Sequence, residues 1–283
     1  MSDYSKILVA FDGSESSENA LRQTLGGFEQ SWVKVLGVVP SYDGDLEMVG
    51  IRDLESLLRG PTDDLKQRAS AIIGADSSRA SVEVMRGEAF EQIVGLAERE
   101  SCNLIVMGRH GLHRMERMLM GSVTAKVIVH SDKDVLVVPK NAVIGWKRIL
   151  LATDGSASGD AALDDALDYA GRHGSALDAI SVVDMHPEYY ADAGAVVDKL
   201  EKKASTVLEH VRERAGQEGV EITTQVLRGD PAAEITAFSA KGGAGITFVG
   251  SRGQSGLRKI VLGSVAQKVI GLSASPVFVV KAK

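Results

Sequence analysis

The chain is poor in cysteine. Cys102 is the only one among 283 residues, so no disulfide can form within the chain. A lone thiol fits a reducing, cytoplasmic setting. Its place beside an apolar run reads as a packed thiol rather than a reactive one. Long apolar runs are also missing. None approaches the roughly 18 residues that would span a bilayer, and Met1-Ser2-Asp3-Tyr4-Ser5-Lys6 has no basic segment leading into an apolar core. Neither a membrane span nor a secretory signal is expected. Positive charge is not in excess: the net charge is −6. That argues against a nucleic-acid partner, which needs a basic stripe, but it leaves room for a small anion site. The six histidines show no paired spacing such as H-x3-H, so no metal site is read. G-x4-G-K-[ST] does not occur, which excludes a P-loop NTPase. No G-x-G-x-x-G follows a strand, which argues against a dinucleotide enzyme.

Strands and helices alternate throughout. Lys6–Phe11 reads as a first strand, followed by the turn Asp12-Gly13-Ser14 and a helix from Glu15 to Phe28 with an apolar stripe of Ala20, Leu21, Thr24 and Leu25. Trp32–Val39 is a second strand, stopped by Pro40. Residues 41–61 read as a loop with a short helix over Met48–Leu58, broken by Gly44, Gly50 and Gly60-Pro61, before a helix from Asp63 to Gly74. Ser81–Met85, Leu104–Met107 and Val135–Val138 complete five strands, with helices over 88–100 and up to His130. After a linker from Pro139 to Gly145 the series repeats: strand 148–153, helix 158–172, strand 177–183, helix 193–217, strand 220–227, helix 231–241, strand 246–249, and a last strand in Pro276–Val280. Near-continuous apolar strands separated by helices imply a parallel sheet covered on both faces.

The repeat has a fixed offset. Asp12 and Asp154, Gly87 and Gly229, Gly108 and Gly250, and Gly121 and Gly263 are each 142 residues apart. A period of this length means duplicated domains, 1–141 and 142–283, rather than a solenoid. Each is expected to be an open five-stranded α/β domain.

Chemistry concentrates after the fourth strand of each half. Gly108-Arg109-His110-Gly111, nine further residues, then Gly121-Ser122 opens a helix; Gly250-Ser251-Arg252-Gly253, nine residues, then Gly263-Ser264 does so again. Glycines let backbone N–H groups turn toward an anion, and a helix start adds unpaired donors and positive partial charge, so strand, loop and helix form a phosphate cradle. Ser122 and Ser264 add hydroxyls, and Arg109, His110 and Arg252 could pair with phosphate charge or be solvated loop charges. Asp12 and Asp154 end the first strand of each half. Ligands bind at the carboxyl ends of strands in such sheets, where an aspartate can accept from a ribose hydroxyl or an amino group. Ser14 and Ser156 are available to cap the following helices, which would leave the aspartates for the ligand. Arg86-Gly87-Glu88 and Arg228-Gly229-Asp230 read as structural turns. Glu116 corresponds to Arg258 and His113 to Ser255, so the two loops share no candidate general base and no catalytic residue is assigned.

The pattern G-x2-G-x9-G-S, late in each five-strand unit, resembles the nucleotide-binding signature of the universal stress protein family, across nearly the whole chain. The resemblance implies a Rossmann-like sheet of order 3-2-1-4-5 in each half and one ATP per half, two per chain, arriving with Mg²⁺. It implies nucleoside contact at Asp12 and Asp154, main-chain contact with the adenine edge at Val39 and Val183, and packing on the base by Met107 and Val249. It extends the phosphate cradle to Val123 and Thr124, and to Val265 in the second half. Ala266 stands where the first half has Thr124, one hydroxyl fewer. Family members dimerise through the fifth strand, so a tandem chain resembles such a dimer made covalent, with further self-association left open. The first turn lacks the S-G-G-x-D-S pattern of adenylating enzymes of related fold. The expected role is a nucleotide-binding regulatory or stress-resistance module rather than an enzyme, with slow ATP hydrolysis or autophosphorylation as the alternative.

Overall fold

The computed structural model describes residues 4–41, 54–111, 120–185, 194–253 and 261–282. The first half runs β1 (Lys6–Phe11), α1 (Glu15–Gly27), β2 (Trp32–Val39), α2 (Leu54–Ile73), β3 (Ala80–Arg86), α3 (Ala89–Arg99), β4 (Leu104–Gly108), α4 (Ser122–His130) and β5 (Asp134–Val138). The second runs β6 (Arg148–Ala152), α5 (Ala157–His173), β7 (Ala176–Asp184), α6 (Gly194–Glu218), β8 (Ile222–Gly229), α7 (Pro231–Gly242), β9 (Ile246–Gly250), α8 (Ser264–Leu272) and β10 (Val277–Val280).

Local chemistry explains three of the helix starts. α1 begins where the Ser14 hydroxyl accepts from the Ser17 amide, and α5 where that of Ser156 accepts from Gly159. Pro231 opens α7 behind the capping carboxylate of Asp230. One expectation fails. α2 continues through Gly60-Pro61, although an interior proline costs a helix roughly 3 kcal/mol. The helix buries Leu65, Ala69 and Ile73, four residues apart on one face. Leu65 and Ile73 are worth roughly 1.5–3 kcal/mol each on full burial, together enough to offset the proline. The part of the expected short helix before Leu54 lies outside the described residues.

The two sets of five strands meet edge to edge through the fifth strand of each, the edge at which the resemblance has family members pair. They form one sheet of ten, ordered β3-β2-β1-β4-β5-β10-β9-β6-β7-β8. Pairing is parallel except at the centre, where β10 runs antiparallel to β5 with Phe278 opposite Leu136. Apolar strands with open edges invite such pairing, and here the two edges satisfy each other within one chain.

Alternate residues of β1 point to opposite faces. Ile7, Val9 and Phe11 join a core under α1, α2, α5 and α6, while Leu8 and Ala10 join one under α3, α4, α7 and α8. Both cores run across the two halves. Phe278 of β10 stacks on Phe248 of β9 with centroids 4.9 Å apart, and both are fully buried.

The stretch between the halves is fastened rather than slack. The Asn19 side-chain amide donates to the carbonyls of Pro139 and Ala142, both at 2.8 Å. The Trp146 indole donates to the Gly27 carbonyl and stacks on Tyr169 at 4.4 Å. His173 also stacks on it, at 4.9 Å; burial and then Arg172 push that imidazole's pKa down. Deeper in, the Tyr4 hydroxyl lies 2.8 Å from a carboxylate oxygen of Asp134 on β5 and 2.7 Å from one of Asp165 on α5. It thus ties the first half to the second. Burial and the two carboxylates push its pKa up, keeping the phenol neutral.

Candidate functional site

The carboxyl ends of β1, β2 and β4 open on a cavity of about 440 Å³ in the first half. Asp12, Val39, Met107, Gly108, His110, Gly111, Gly121, Ser122, Val123 and Thr124 all line it. Sequence reasoning named each of these, from residues dispersed over more than a hundred positions.

The polar end is built around α4. Gly121 is its N-cap, in extended conformation, and among the described residues no side chain caps the helix. Its first turn carries no acidic residue, in contrast to α1, which has Glu15 and Glu18 there and a serine cap. The α4 amides therefore keep their hydrogen-bonding capacity and their positive field for an external anion. Ser122 is exposed at this end. Thr124 is buried, and its hydroxyl donates to the Gly108 carbonyl, so that group braces the loop beside its expected phosphate role.

The glycines of the loop divide into two kinds. A Cβ on Gly108 would lie 2.7 Å from the Ser16 carbonyl carbon and 2.8 Å from the Ser17 nitrogen, inside the backbone of α1. Gly250 meets Ser158 and the Gly159 nitrogen in the same way. These two permit helix and strand to touch. A Cβ on Gly111 would instead lie 2.5 Å from Oδ2 of Asp12, and one on Gly253 2.8 Å from Oδ2 of Asp154. These two face the site.

The aspartates are partly committed. Oδ1 of Asp12 accepts from the Ser14 amide at 3.0 Å, and Oδ1 of Asp154 from Ser156 at 3.0 Å. The serine caps thus do not release the carboxylates, as expected; each keeps one oxygen in its own turn and presents Oδ2 toward the glycine loop. At the apolar end, Val39 and Met107 are buried in the wall, and the Val39 carbonyl already accepts from the Gly87 amide at 3.1 Å.

Arg109 departs from expectation. Its guanidinium turns away from the cavity and donates to the carbonyls of Gly271 at 3.1 Å and Ser273 at 2.7 Å, at the C-terminus of α8 in the other half. Carbonyls left unpaired at a helix end, with their negative partial charge, attract it there more strongly than an exposed loop would. His110 stays at the cavity, its carbonyl accepting from the Ser14 hydroxyl.

The second half repeats the frame. Gly263 caps α8 in extended conformation without a side-chain cap or a first-turn acid. Ser264 and Val265 are exposed, and Val183 and Val249 are buried at the strand ends. The Arg252 carbonyl accepts from the hydroxyls of Ser156 and Ser158, which holds that loop on α5. The differences lie on the helix after the second strand. Leu65 and Arg68 of α2 cover the Asp12 turn, with Arg68 donating to the Gly13 carbonyl and pairing with Glu18 at 2.7 Å. The second half has Val207 against the corresponding Gly155. Asp12 is accordingly half-buried and Asp154 exposed. Sequence reasoning missed Pro61, Asp64, Leu65 and Arg68 as cavity residues. Their helix is displaced from the common register, Arg68 and Val207 being 139 apart rather than 142. The compared loop positions His113, Glu116, Ser255 and Arg258 lie outside the described residues. Among the described residues no group of three metal-ligating side chains occurs, and no helix is long and apolar enough to cross a membrane.

The profile of the universal stress protein family matches residues 3–139 and again residues 145–281. The chain belongs to the universal stress protein family. A universal stress protein of Methanocaldococcus jannaschii is 36% identical over 140 residues, 48% of this chain and 82% of that one. One from Mycobacterium tuberculosis is 29% identical over 231 residues, 77% of this chain and 74% of its own. The crystal structure of a universal stress protein from Archaeoglobus fulgidus superposes with a TM-score of 0.72 at 26% identity, covering 99% of this chain and 100% of that one. The duplicated architecture is thus shared over its whole length with another member of the family.

Proposed function

We propose that this chain is an ATP-binding universal stress protein, a regulatory or stress-resistance module whose two units, each with strand order 3-2-1-4-5, carry one adenine-nucleotide site apiece. The observation that carries the reading is the first-half cavity, which joins an apolar slot beside Val39 and Met107 to an uncapped helix start at Gly121. A nucleotide has the same polarity, a flat apolar base at one end and anionic phosphates at the other. Ribose hydroxyls would lie between, within reach of Oδ2 of Asp12. Phosphates would rest on the amides of the Gly111 loop and the first turn of α4, with Ser122 donating and Mg²⁺ carried on the phosphates. The second half offers Asp154, Gly253, Gly263 and Ser264 for the same task, in a reducing, cytoplasmic setting that suits the lone buried thiol.

Binding without efficient turnover is the reading we favour. Isothermal calorimetry on the full chain tests it: ATP should titrate close to two sites. Gly111→Val should remove one and Gly253→Val the other, because either side chain would press on the aspartate carboxylate beside it. A chain indifferent to ATP, or binding it normally after both substitutions, refutes the assignment.

A further inference from the structure

The two glycine loops are joined by side chains that cross between the halves. Arg109 sits in the first loop. Its amide donates to the Val138 carbonyl and its carbonyl accepts from Gly121, the N-cap of α4. Its peptide is therefore part of the first cradle. Its guanidinium, meanwhile, grips the Gly271 and Ser273 carbonyls at the C-terminal end of α8, and the opposite end of α8 is the second cradle. That helix has nine residues, about 13 Å at 1.5 Å per residue, short enough to move as one rigid piece.

A reciprocal contact runs the other way. The Ser251 amide, in the second loop, donates to the Val280 carbonyl. The next residue, Lys281, has its amide on Asp134 and its ammonium on the Ile128 carbonyl, in the last turn of α4. Each half thus sends a cation, anchored beside its own loop, onto the C-terminal carbonyls of the helix that forms the other half's cradle. The sequence repeat does not predict this arrangement. Ser251 occupies the position of Arg109, and Pro139 that of Lys281.

We propose that Arg109 is a positioning residue for the second site although it lies in the loop of the first, so that the two sites bind cooperatively through α8. The proposal rests on the nucleotide reading above. An anion at the first site engages the amides around Gly111 and in the first turn of α4, and so fixes the peptide that aims the guanidinium. Fixing that guanidinium fixes α8, and with it the donors of its first turn at Ser264 and Val265. Linkage makes the effect reciprocal: occupancy of the second site tightens the first by the same factor.

The test uses the full chain and ATP. Gly111→Val blocks the first site, and should weaken second-site binding by about fivefold or more, the lower end of ordinary coupling. In an Arg109→Ala background the same block should leave second-site affinity unchanged within about twofold, and Arg109→Lys should restore part of the coupling. Amide exchange without nucleotide gives an independent reading. Gly263 and Gln267 carry the hydrogen-bonded amides at the cradle end of α8, and both should exchange several-fold faster in Arg109→Ala. The proposal is overturned if second-site affinity ignores the block, if coupling survives Arg109→Ala, or if faster exchange stops at Ser273. Should ATP bind neither half, the nucleotide reading falls, while the exchange result still decides whether Arg109 positions the distant helix end.

Discussion

Replacing Tyr4 with phenylalanine isolates one hydroxyl at the junction of the halves. The ring would keep its place, 5.3 Å from Phe278 and 6.2 Å from Tyr169, so the packing contribution is retained. What goes is the donor between Asp134 and Asp165, residues only 3% and 4% exposed. A tyrosine hydroxyl has one hydrogen, so one donated bond is lost although two acceptors lie within 2.8 Å. A hydrogen bond to a charged group is worth about 1.5–3 kcal/mol net, and we expect that destabilisation. In a chain of this size it should lower Tm by several degrees. Urea unfolding of both proteins, followed by far-ultraviolet dichroism, would measure the midpoint shift. Asp165→Asn should cost less in the Tyr4→Phe background than in the wild type, since the two changes remove the same contact. A midpoint shift worth less than about 0.5 kcal/mol, within the range of neutral surface substitutions, would show that this cluster does not hold the halves together.

Other outcomes can be stated more briefly. Gly108→Ala should destabilise by about 1–3 kcal/mol or more, the cost of overpacking, because its Cβ would meet the backbone of α1. Gly111→Ala should cost much less, since a carboxylate end can shift; equal thermal unfolding midpoints for the two would refute the division of the loop glycines. Burial, with Arg252 adding to it, pushes the Lys281 ammonium down to about 8 from an ordinary 10.5. Between those values the folded chain has released a proton that the unfolded chain keeps, so wild-type stability should rise with pH relative to Lys281→Met. The rise should be about 1–3 kcal/mol, allowing for partial exposure. Parallel denaturation curves from pH 7 to 10 would contradict the cause given. ATP hydrolysis should stay well below about 1 s⁻¹, the low end of ordinary enzymes. A brisk phosphate release abolished by one carboxylate substitution would overturn the binding-module reading.

Much of this was legible in the residues themselves. Apolar runs mark the inner strands because they are buried on both faces, while the outer strands β3 and β8 are only partly buried and β3 shows itself by alternation instead. The 142-residue offset showed the duplication, and the glycine spacing led to residues that the fold does bring together around one cavity. What escaped notice was long-range. Nothing local tells that Gly60-Pro61 lies within a helix, since the burial of Leu65, Ala69 and Ile73 that sustains it depends on the sheet beneath. Arg68 was overlooked because its helix is out of register with its counterpart. Arg109 reads as a phosphate partner or a solvated loop charge because its loop is legible locally and the helix end that packs beside it is not. Charge shows that a side chain will find a partner; only the assembled sheet shows which one.

The antiparallel meeting of β5 and β10 has an evolutionary consequence. In a dimer of identical subunits every substitution occurs twice, at both ends of a twofold axis, and a change useful on one side must be tolerated on the other. A chain that carries both copies escapes that rule. Arg109 can reach across while Ser251 does not, Arg68 can cover one turn while Val207 leaves the other open, and Thr124 can brace one loop while Ala266 does not. The shared sheet keeps the two halves in a common geometry, and gene duplication frees each to specialise within it.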